Sequence, residues 1–336
     1  MKATPMKSDH HTISIVIPVY QGEQSLPKLI EAIEPLTREF TTPEGRTAKV
    51  VEVVLVHDCG PDGSDERIRQ LAADLDWIHP VWLSRNFGQH AATLAGMSYS
   101  GGDWVATLDE DGQHDPRDLA GMLDTAMREQ ADVVYGAPLN PPPHGALRNL
   151  ASRVAKQSLR FATAHKHAAV FNSYRLVLGD VARSVAAYAG PGVYLDVALG
   201  WVARTISTSP VTLTAESRPS GYSLRSLASH YWRMVLTGGT RPLRAVSVAG
   251  LIFAALGFTM AIVIFGIRVF GDIPVAGWAS VMLVTLLSAG VTLTALGVIT
   301  EYVGVAVNMA LGRPLFLMVA DRAEGPLGRE DSPREP

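Results

Sequence analysis

Residues 104–116 read WVATLDEDGQHDP. The apolar run WVATL is followed by three consecutive acidic residues, a glycine, and then Asp115-Pro116, a pair that is typical of a helix start. A short apolar run bounded by turn residues is typical of a buried strand. The stretch therefore predicts a strand that ends in carboxylates and turns directly into a helix over 116–129.

The same alternation recurs before this stretch, and one more apolar run follows it. Apolar runs that precede helical spacing lie at 13–19, 50–56 and 81–83, their helices at 24–36, 64–75 and 90–100, and the last run at 132–136. Strands that alternate with helices form a mostly parallel sheet covered on both faces. The predicted fold class is therefore α/β, in which ligands bind beyond the carboxyl ends of the strands.

The acidic residues after the fourth strand are candidate metal ligands. Side chains alternate along an extended segment, so Asp109 and Asp111 are expected to face one way and Glu110 the other. Two carboxylates on one face repel each other unless a cation lies between them, and hard oxygen ligands suit Mg²⁺ or Mn²⁺ bound to phosphates. We expect Asp109 and Asp111 to hold such a cation. The alternative is that these acids cap the following helix, which is the role expected for Asp115.

Composition limits the class of protein. Charged residues make up 18% of the 336 residues and hydrophobic residues 47%, whereas roughly 25% charged residues is usual in a soluble domain. The formal net charge of −3 argues against nucleic acid as a partner. The single cysteine, Cys59, excludes an intrachain disulfide and a cysteine-built zinc site.

Two long stretches near the C-terminus carry no charge. They lie at 245–267 and 273–300, and as helices they would be roughly 34 and 42 Å long, against about 30 Å for the hydrocarbon core of a bilayer. Two buried helices of a soluble core are the alternative, but core helices are usually shorter and keep a polar stripe. Arginines precede the first stretch and follow the second, while Arg268 alone lies between them. The positive-inside rule then places both ends of the chain in the cytoplasm.

Several motifs in order carry a resemblance to a known family. They read IVIPVYQGEQSL at 15–26, VHDCGPDGS at 56–64, LSRNFGQHAATLAGM at 83–97, TLDEDGQHDP at 107–116, SYRLV at 173–177, RPSGYSL at 218–224, TRPLR at 240–244, EYVG at 301–304 and RPLF at 313–316. With them the chain resembles the inverting family-2 glycosyltransferases of GT-A fold. Within that family it is similar to the polyprenyl-phosphate glycosyltransferases, which include dolichol-phosphate mannose synthases and bacterial undecaprenyl-phosphate sugar transferases. The resemblance covers nearly the whole chain.

The resemblance implies an activity and its partners. A sugar would move from a UDP- or GDP-linked donor to a polyprenyl phosphate at the lipid bilayer of the cell membrane, with Mg²⁺ or Mn²⁺ as cofactor, and a homo-oligomer is compatible with it. The implied organisation is a cytoplasmic GT-A domain at 1–225, an amphipathic juxtamembrane segment at 226–244, transmembrane helices at 245–267 and 273–300, and a cytoplasmic tail at 301–336. The alternatives are a catalytically silent nucleotide-sugar-binding module and a transferase with another lipid acceptor. A processive synthase is a poor fit, because the chain lacks a Q-x-x-R-W segment.

The resemblance also implies roles for individual residues. For the nucleotide pocket they are Pro18, Tyr20, Glu23, Asp58, Arg85, Asn86, Gly88 and Asp109. Asp58 would bind the base, Asp109 and Asp111 would hold the metal and the donor diphosphate, and Gln113 would touch the sugar or the acceptor. Asp111 and Gln113 thus belong to the expected catalytic set.

The chain departs from the family pattern on the acceptor side. It reads Asn172-Ser173-Tyr174-Arg175-Leu176 where many members have Gly-Asp-Phe-Arg-Leu, it is proline-rich at 138–143, and it has Gly221 where a lysine is usual. Asp196 is left as the candidate base or positioning acid, although an acid at a helix start is equally well explained as structural. The candidates for binding phosphate through a bidentate guanidinium are Arg175, Arg218 and Arg225.

Overall fold

The computed structural model describes residues 10–139, 171–190, 194–213, 241–270, 277–312 and 314–325. Arg218, Arg225 and most of the predicted juxtamembrane segment lie outside the described residues, and so does most of the proline-rich stretch.

Within the described residues, one sheet of nine strands forms the centre of the N-terminal domain. The strands are β1 (His10–Val19), β2 (Phe40–Thr41), β3 (Thr47–His57), β4 (Ile78–Leu83), β5 (Trp104–Thr107), β6 (Val133–Pro138), β7 (Arg175–Leu178), β8 (Ile206–Val211) and β9 (Met318–Val319). Their order is β8-β6-β7-β5-β1-β3-β4-β9, and β2 pairs with β3.

The sheet is mixed rather than mostly parallel. The pairs β1–β3, β1–β5 and β3–β4 are parallel, as predicted from the alternation of strands and helices. The pair β6–β8 is also parallel, but β8 was not predicted. Strand β7, however, lies antiparallel between β5 and β6, while β2 and β9 add antiparallel edges. Alternation along the chain predicts only the strands joined by helices, so the inserted strand β7 was not predicted.

Helices cover both faces of the sheet. They are α1 (Leu26–Ile33), α2 (Ser64–Asp74), α3 (Gln89–Tyr99), α4 (Leu119–Glu129), α5 (Gly179–Tyr188) and α6 (Leu195–Val202), with 3-10 turns at Glu34–Thr37 and Pro116–Asp118. Apolar residues of α1, α2 and α4 pack on one face, in one core cluster with Ile15 and Leu55. Residues of α3, α5 and α6 pack on the other face, with Val16 and Val54. The predicted α/β fold is confirmed.

The first half of the sheet brings four strand ends together. Strands β1, β3, β4 and β5 are neighbours and run in one direction, so they all end at the same edge. Helix α3 lies very close to the sheet, because a Cβ atom at Gly96 would meet Val16 Cγ1 at 2.3 Å and Val56 Cγ2 at 2.9 Å. This close approach places the N-terminus of α3 beside the strand ends.

Two long helices follow the α/β domain. They are α7 (Arg241–Phe270) and α8 (Trp278–Ala310), and each contains a segment long and apolar enough to cross a membrane, Leu243–Met260 and Leu287–Val307. None of the residues in these segments is buried; Leu251, for example, is 72% exposed. Helix α8 continues past Glu301, so the second apolar helix extends further than the predicted span at 273–300.

Candidate functional site

A cleft of about 340 Å³ opens where β1, β3 and β5 end. It gathers seven of the predicted site residues, namely Pro18, Tyr20, Asp58, Asn86, Gly88, Asp109 and Asp111. Val19, Gln89 and Glu110 complete its lining among the described residues. The acidic run that follows β5 therefore lies in one cleft with the residues predicted for a nucleotide pocket.

Asp58 organises the loop that follows β4. Its side chain is buried, and its two carboxylate oxygens accept hydrogen bonds from Phe87 N at 2.7 Å and Gly88 N at 2.8 Å. Gly88 has a φ of +91°, which favours glycine. Burial raises the pKa of the Asp58 carboxyl, and the two backbone donors oppose that rise. The carboxylate thus shapes one wall of the cleft, while contact with a base stays a prediction.

Asp109 is held by two side chains from other parts of the chain. Gln89 Nε2 donates to Oδ1 at 2.5 Å, and Ser173 Oγ donates to Oδ2 at 2.5 Å. Burial raises the pKa of the Asp109 carboxyl, whereas His114, the Ser173 hydrogen bond and, less strongly, Arg175 lower it. Neither Gln89 nor Ser173 was predicted as a site residue. Ser173 was noted only as a departure from the family pattern.

Asp111 lies on the exposed side of the same cleft. Its oxygens accept hydrogen bonds from Gln113 N at 3.0 Å and from Gln113 Nε2 at 2.9 Å. The turn between them passes through Gly112, whose φ is +70°. Gln113 itself is not among the residues that line the cleft in the described part of the chain, but it orients one of those that do.

Glu110 has a separate role from its two neighbours. Its carboxylate accepts hydrogen bonds from Tyr20 N at 2.9 Å and Gln21 N at 3.0 Å. Glu110 therefore connects the segment after β5 to the turn after β1. Gly22 allows this approach, since a Cβ there would lie 2.8 Å from Glu110 Oε2. Glu110 therefore lines the cleft as well, with its charge directed at the backbone of the turn after β1.

Two predicted pocket residues brace the rim without lining the cleft in the described part of the chain. Gly63 N donates to Glu23 Oε2 at 3.1 Å, and Glu23 N donates to Asp62 Oδ2 at 3.1 Å. The Arg85 guanidinium lies 4.3 Å from the ring centroid of Phe87.

The predicted N-cap is confirmed, because Asp115 accepts a hydrogen bond from Arg117 N at 2.9 Å.

Arg175 and Asp196 lie outside the cleft, in a buried cluster. Arg175 Nη1 is 2.7 Å from Asp196 Oδ1, and Tyr135 OH donates to the same oxygen at 2.9 Å. Arg175 is 3% exposed and Asp196 2%. Burial raises the pKa of Asp196, and Arg175 opposes that rise. In this structure Asp196 is a buried acid in the first turn of α6 that pairs with Arg175, and the roles predicted for both at the reacting centre stay predictions.

The donor set of the cleft suits a hard divalent cation. Asp109 and Asp111 provide carboxylate oxygens in one cleft, and the charge of Asp111 raises the pKa of the Asp109 carboxyl. Within the described residues no group of three His, Cys, Asp or Glu side chains is close enough to hold a metal. A cation bound here would therefore take its remaining ligands from diphosphate and water, as Mg²⁺ commonly does.

Comparisons with known proteins show the family of this chain. The family model described as "Glycosyl transferase family 2" matches residues 14–184. A relative from Aeromonas hydrophila, named undecaprenyl-phosphate 4-deoxy-4-formamido-L-arabinose transferase, is 30% identical over 93% of this chain and 94% of its own length. A protein of the same name from Pectobacterium atrosepticum is 29% identical over the same shares.

Solved structures with a similar fold are more distant. Glucosyl-3-phosphoglycerate synthase from Mycobacterium tuberculosis has 18% identity and a TM-score of 0.47 over 69% of this chain and 80% of its own. S. aureus TarS in complex with UDP-GlcNAc has 14% identity and a TM-score of 0.46 over 68% of this chain and 66% of its own. The family match and the near full-length relatives carry the assignment: this chain belongs to glycosyl transferase family 2, and it is a glycosyltransferase of GT-A type.

Proposed function

We propose that this protein transfers a sugar from a nucleotide diphosphate sugar to a polyprenyl phosphate in the membrane, with inversion at the anomeric carbon and with Mg²⁺ or Mn²⁺. The observation that carries the proposal is the pair Asp109 and Asp111 in one cleft with Tyr20 and Asp58. The acceptor class is supported by relatives named undecaprenyl-phosphate transferases, which match 93% of the chain.

The cleft has the parts that a nucleotide requires. Tyr20 is 41% exposed at its wall and offers an aromatic face to a base. The loop with Asn86 and Gly88 forms another part of the lining, ordered by Asp58. The donor would therefore lie with its base near Tyr20 and its diphosphate near Asp109, as UDP or GDP.

Asp109 and Asp111 would hold the divalent cation, with Gln113 orienting Asp111. When bound, the cation would neutralise the charge that develops on the leaving nucleoside diphosphate. Gln89 and Ser173 hold the Asp109 carboxylate in place through its two oxygens. Positioning and charge compensation would then supply most of the rate acceleration.

The reaction itself requires little acid–base chemistry. An oxygen of the acceptor phosphate attacks the anomeric carbon, and the bond from that carbon to the diphosphate oxygen breaks with its electron pair on the nucleoside diphosphate. Attack on the face opposite the leaving group inverts the configuration. A phosphate monoester has a second pKa of about 6, so the acceptor phosphate is mostly a dianion at neutral pH. A general base is not required, which agrees with the burial of Asp196 against Arg175.

The two apolar helices would hold this site at a bilayer. Segments Leu243–Met260 and Leu287–Val307 are long and apolar enough to cross it, by length and composition. With arginines flanking the pair, the positive-inside rule orients the α/β domain and both termini toward the cytoplasm. The phosphate of a long prenyl chain would then meet the cleft at the membrane surface. A homo-oligomer stays a prediction.

The test is a transfer assay with the full-length chain in detergent. Nucleotide sugars are supplied with undecaprenyl phosphate and Mn²⁺ or Mg²⁺, and labelled glycolipid is the readout. We expect metal-dependent product that EDTA abolishes, with the opposite anomeric configuration to that of the donor by NMR. Nucleotide binding without transfer to any lipid phosphate would favour a silent binding module. Product formed only with a lipid of another class would favour the other lipid acceptor.

A further inference from the structure

The segment that follows α8 returns to the edge of the sheet. Residues 314–325, here called the C-terminal strap, place β9 antiparallel to β4, with Met318 opposite Leu83 and Val319 opposite Trp82. One step further along, Ser84 N donates to Leu317 O at 2.9 Å. The strap therefore covers a sheet edge that would otherwise expose unpaired backbone groups.

A partly buried ion pair joins the strap to α2. Arg69 Nε lies 2.6 Å from Asp321 Oδ2, and Arg69 Nη2 donates to Asp321 Oδ1 at 3.0 Å. The Asp321 side chain is 6% exposed. The Arg69 guanidinium also lies 5.1 Å from the ring centroid of Trp82, its cation–π partner on β4. A bidentate pair of this kind fixes orientation as well as distance, unlike a surface pair between flexible side chains.

The strap reaches the loop that forms one wall of the cleft. Arg322 Nη2 donates to Ser84 O at 3.0 Å. Ser84 is thus held by the strap at both its N–H and its carbonyl group. Phe87 and Gly88 follow within four residues, and their N–H groups donate hydrogen bonds to the Asp58 carboxylate. The loop from Ser84 to Gly88 is therefore held at its start by the strap and at its end by Asp58.

Ordering this loop before a ligand arrives has an energetic consequence. A loop that is already fixed loses little conformational entropy on binding, whereas a loop freed at one end must lose it when the ligand binds. Asn86 and Gly88 of this loop line the cleft. Release of the strap should thus weaken donor binding without removing a single cleft side chain.

We propose that Arg69 and Asp321 are positioning residues for the donor, which act by holding the C-terminal strap against β4 and thereby ordering the Ser84–Gly88 loop. The identity of the donor rests on the proposed function, but the ordering of the loop does not. The strap also connects the end of the second apolar helix to the donor cleft.

The test is a double-mutant cycle on the full-length chain in detergent with Arg69→Ala, Asp321→Ala and the double variant. Hydrogen exchange of the backbone amides at 84–88 reports the loop, and UDP and GDP titrations with Mn²⁺ report the cleft. We expect roughly tenfold faster exchange at 84–88 and roughly tenfold weaker nucleotide binding in Asp321→Ala, with the donor KM raised more than kcat is lowered. At 84–88 the double variant should lose no more than Asp321→Ala alone, because the other carboxylate partners of Arg69, Asp65 and Glu66, lie within α2.

The matched control is Asp180→Ala, which breaks the exposed 2.8 Å pair with Arg183 on α5. It should change neither exchange at 84–88 nor nucleotide binding. Should Asp321→Ala fail to fold, Asp321→Asn and Arg69→Lys give milder versions of the same loss. Unchanged exchange at 84–88 in a folded Asp321 variant would overturn the proposal. If the wild-type chain binds neither nucleotide, the donor assignment fails while the exchange result still decides the strap.

Discussion

Ser173 Oγ donates a hydrogen bond of 2.5 Å to Asp109 Oδ2, although the two residues are 64 positions apart. The carbonyl of Ser173 in turn accepts from Thr107 Oγ1 at 2.5 Å, so the serine sits directly over the end of β5. One of the residues at which this chain departs from the family pattern is therefore in contact with the proposed metal ligand. The Ser173 hydroxyl donates a hydrogen bond to Asp109, whereas the aspartate that many family members have at this position would add a negative charge.

We predict that Ser173→Asp makes stability depend on metal. An aspartate here would repel Asp109 without a cation, and a bound cation would relieve that repulsion. The melting temperature without metal should fall, and the rise on adding Mn²⁺ should exceed that of the wild type.

Ser173→Ala should lower kcat/KM roughly tenfold, because Asp109 loses one of two donors. Ser98→Ala, which removes a hydroxyl that donates to Ala95 O within α3, is the control and should leave both readouts unchanged.

Asp111→Asn should abolish transfer while the fold remains. The carboxylate is exposed and its hydrogen-bond partner is Gln113, so its loss removes a charge from the cleft without opening a cavity. We expect activity to fall at least about a hundredfold and metal-dependent nucleotide binding to weaken, with an unchanged melting temperature. Turnover at a tenth of the wild-type rate or more would count against a metal role. Asp115→Asn, at the neighbouring N-cap, should affect stability more than turnover.

Asp196→Asn should reduce stability more than it reduces chemistry. Removing one partner of a buried ion pair leaves an uncompensated charge, here that of Arg175, and such changes commonly cost about 3–5 kcal/mol. We expect a melting temperature lower by about 5–15 °C and a kcat, measured well below that temperature, within about tenfold of the wild type. The double variant Arg175→Met/Asp196→Leu should recover much of the lost stability. An unchanged melting temperature with abolished turnover would instead identify Asp196 as the base.

The sequence predicted the acidic wall of the cleft for a physical reason. Strand ends in a parallel sheet converge, so an acid that follows one strand and an aromatic residue that follows another must meet. Asp58, Asp109, Asp111 and Tyr20 were therefore found from local pattern and resemblance together, and the structure places them in one cleft. Gly88 was found in the same way, at the loop before α3.

The partners of these residues could not be predicted in this way. Gln89 and Ser173 reach Asp109 through tertiary packing, and neither lies in a pattern that periodicity detects. The two-residue strand β9 is too short to show alternation, so 301–336 was predicted as a tail although part of it completes the sheet. The buried ion pair of Arg175 with Asp196 follows from its register opposite Thr107 and Tyr135, which local pattern does not reveal, while its predicted role in binding phosphate stays a prediction.

The last prediction concerns pH and His57. This imidazole is 8% exposed, its Nε2 has no hydrogen-bond partner among the described residues, and its ring packs edge-on against Trp82. Burial lowers the pKa of His57 below its ordinary value of 6.5, and Arg69 lowers it further, whereas Asp62, Asp65 and Asp321 oppose the shift. The folded chain thus binds fewer protons at this site than the unfolded chain. The contribution of His57 to the free energy of unfolding should be fully present above pH 6.5. It should decrease as the pH falls toward the lowered pKa.

The measurement is the melting temperature of the full-length chain between pH 7.5 and 5.5. His57→Gln removes the titrating group and should make the melting temperature less dependent on pH over this window than in the wild type. A residual slope is expected, because burial also lowers the pKa of His114 and the sign is the same. An equal dependence of the melting temperature on pH in the wild type and in His57→Gln would contradict the assignment to His57.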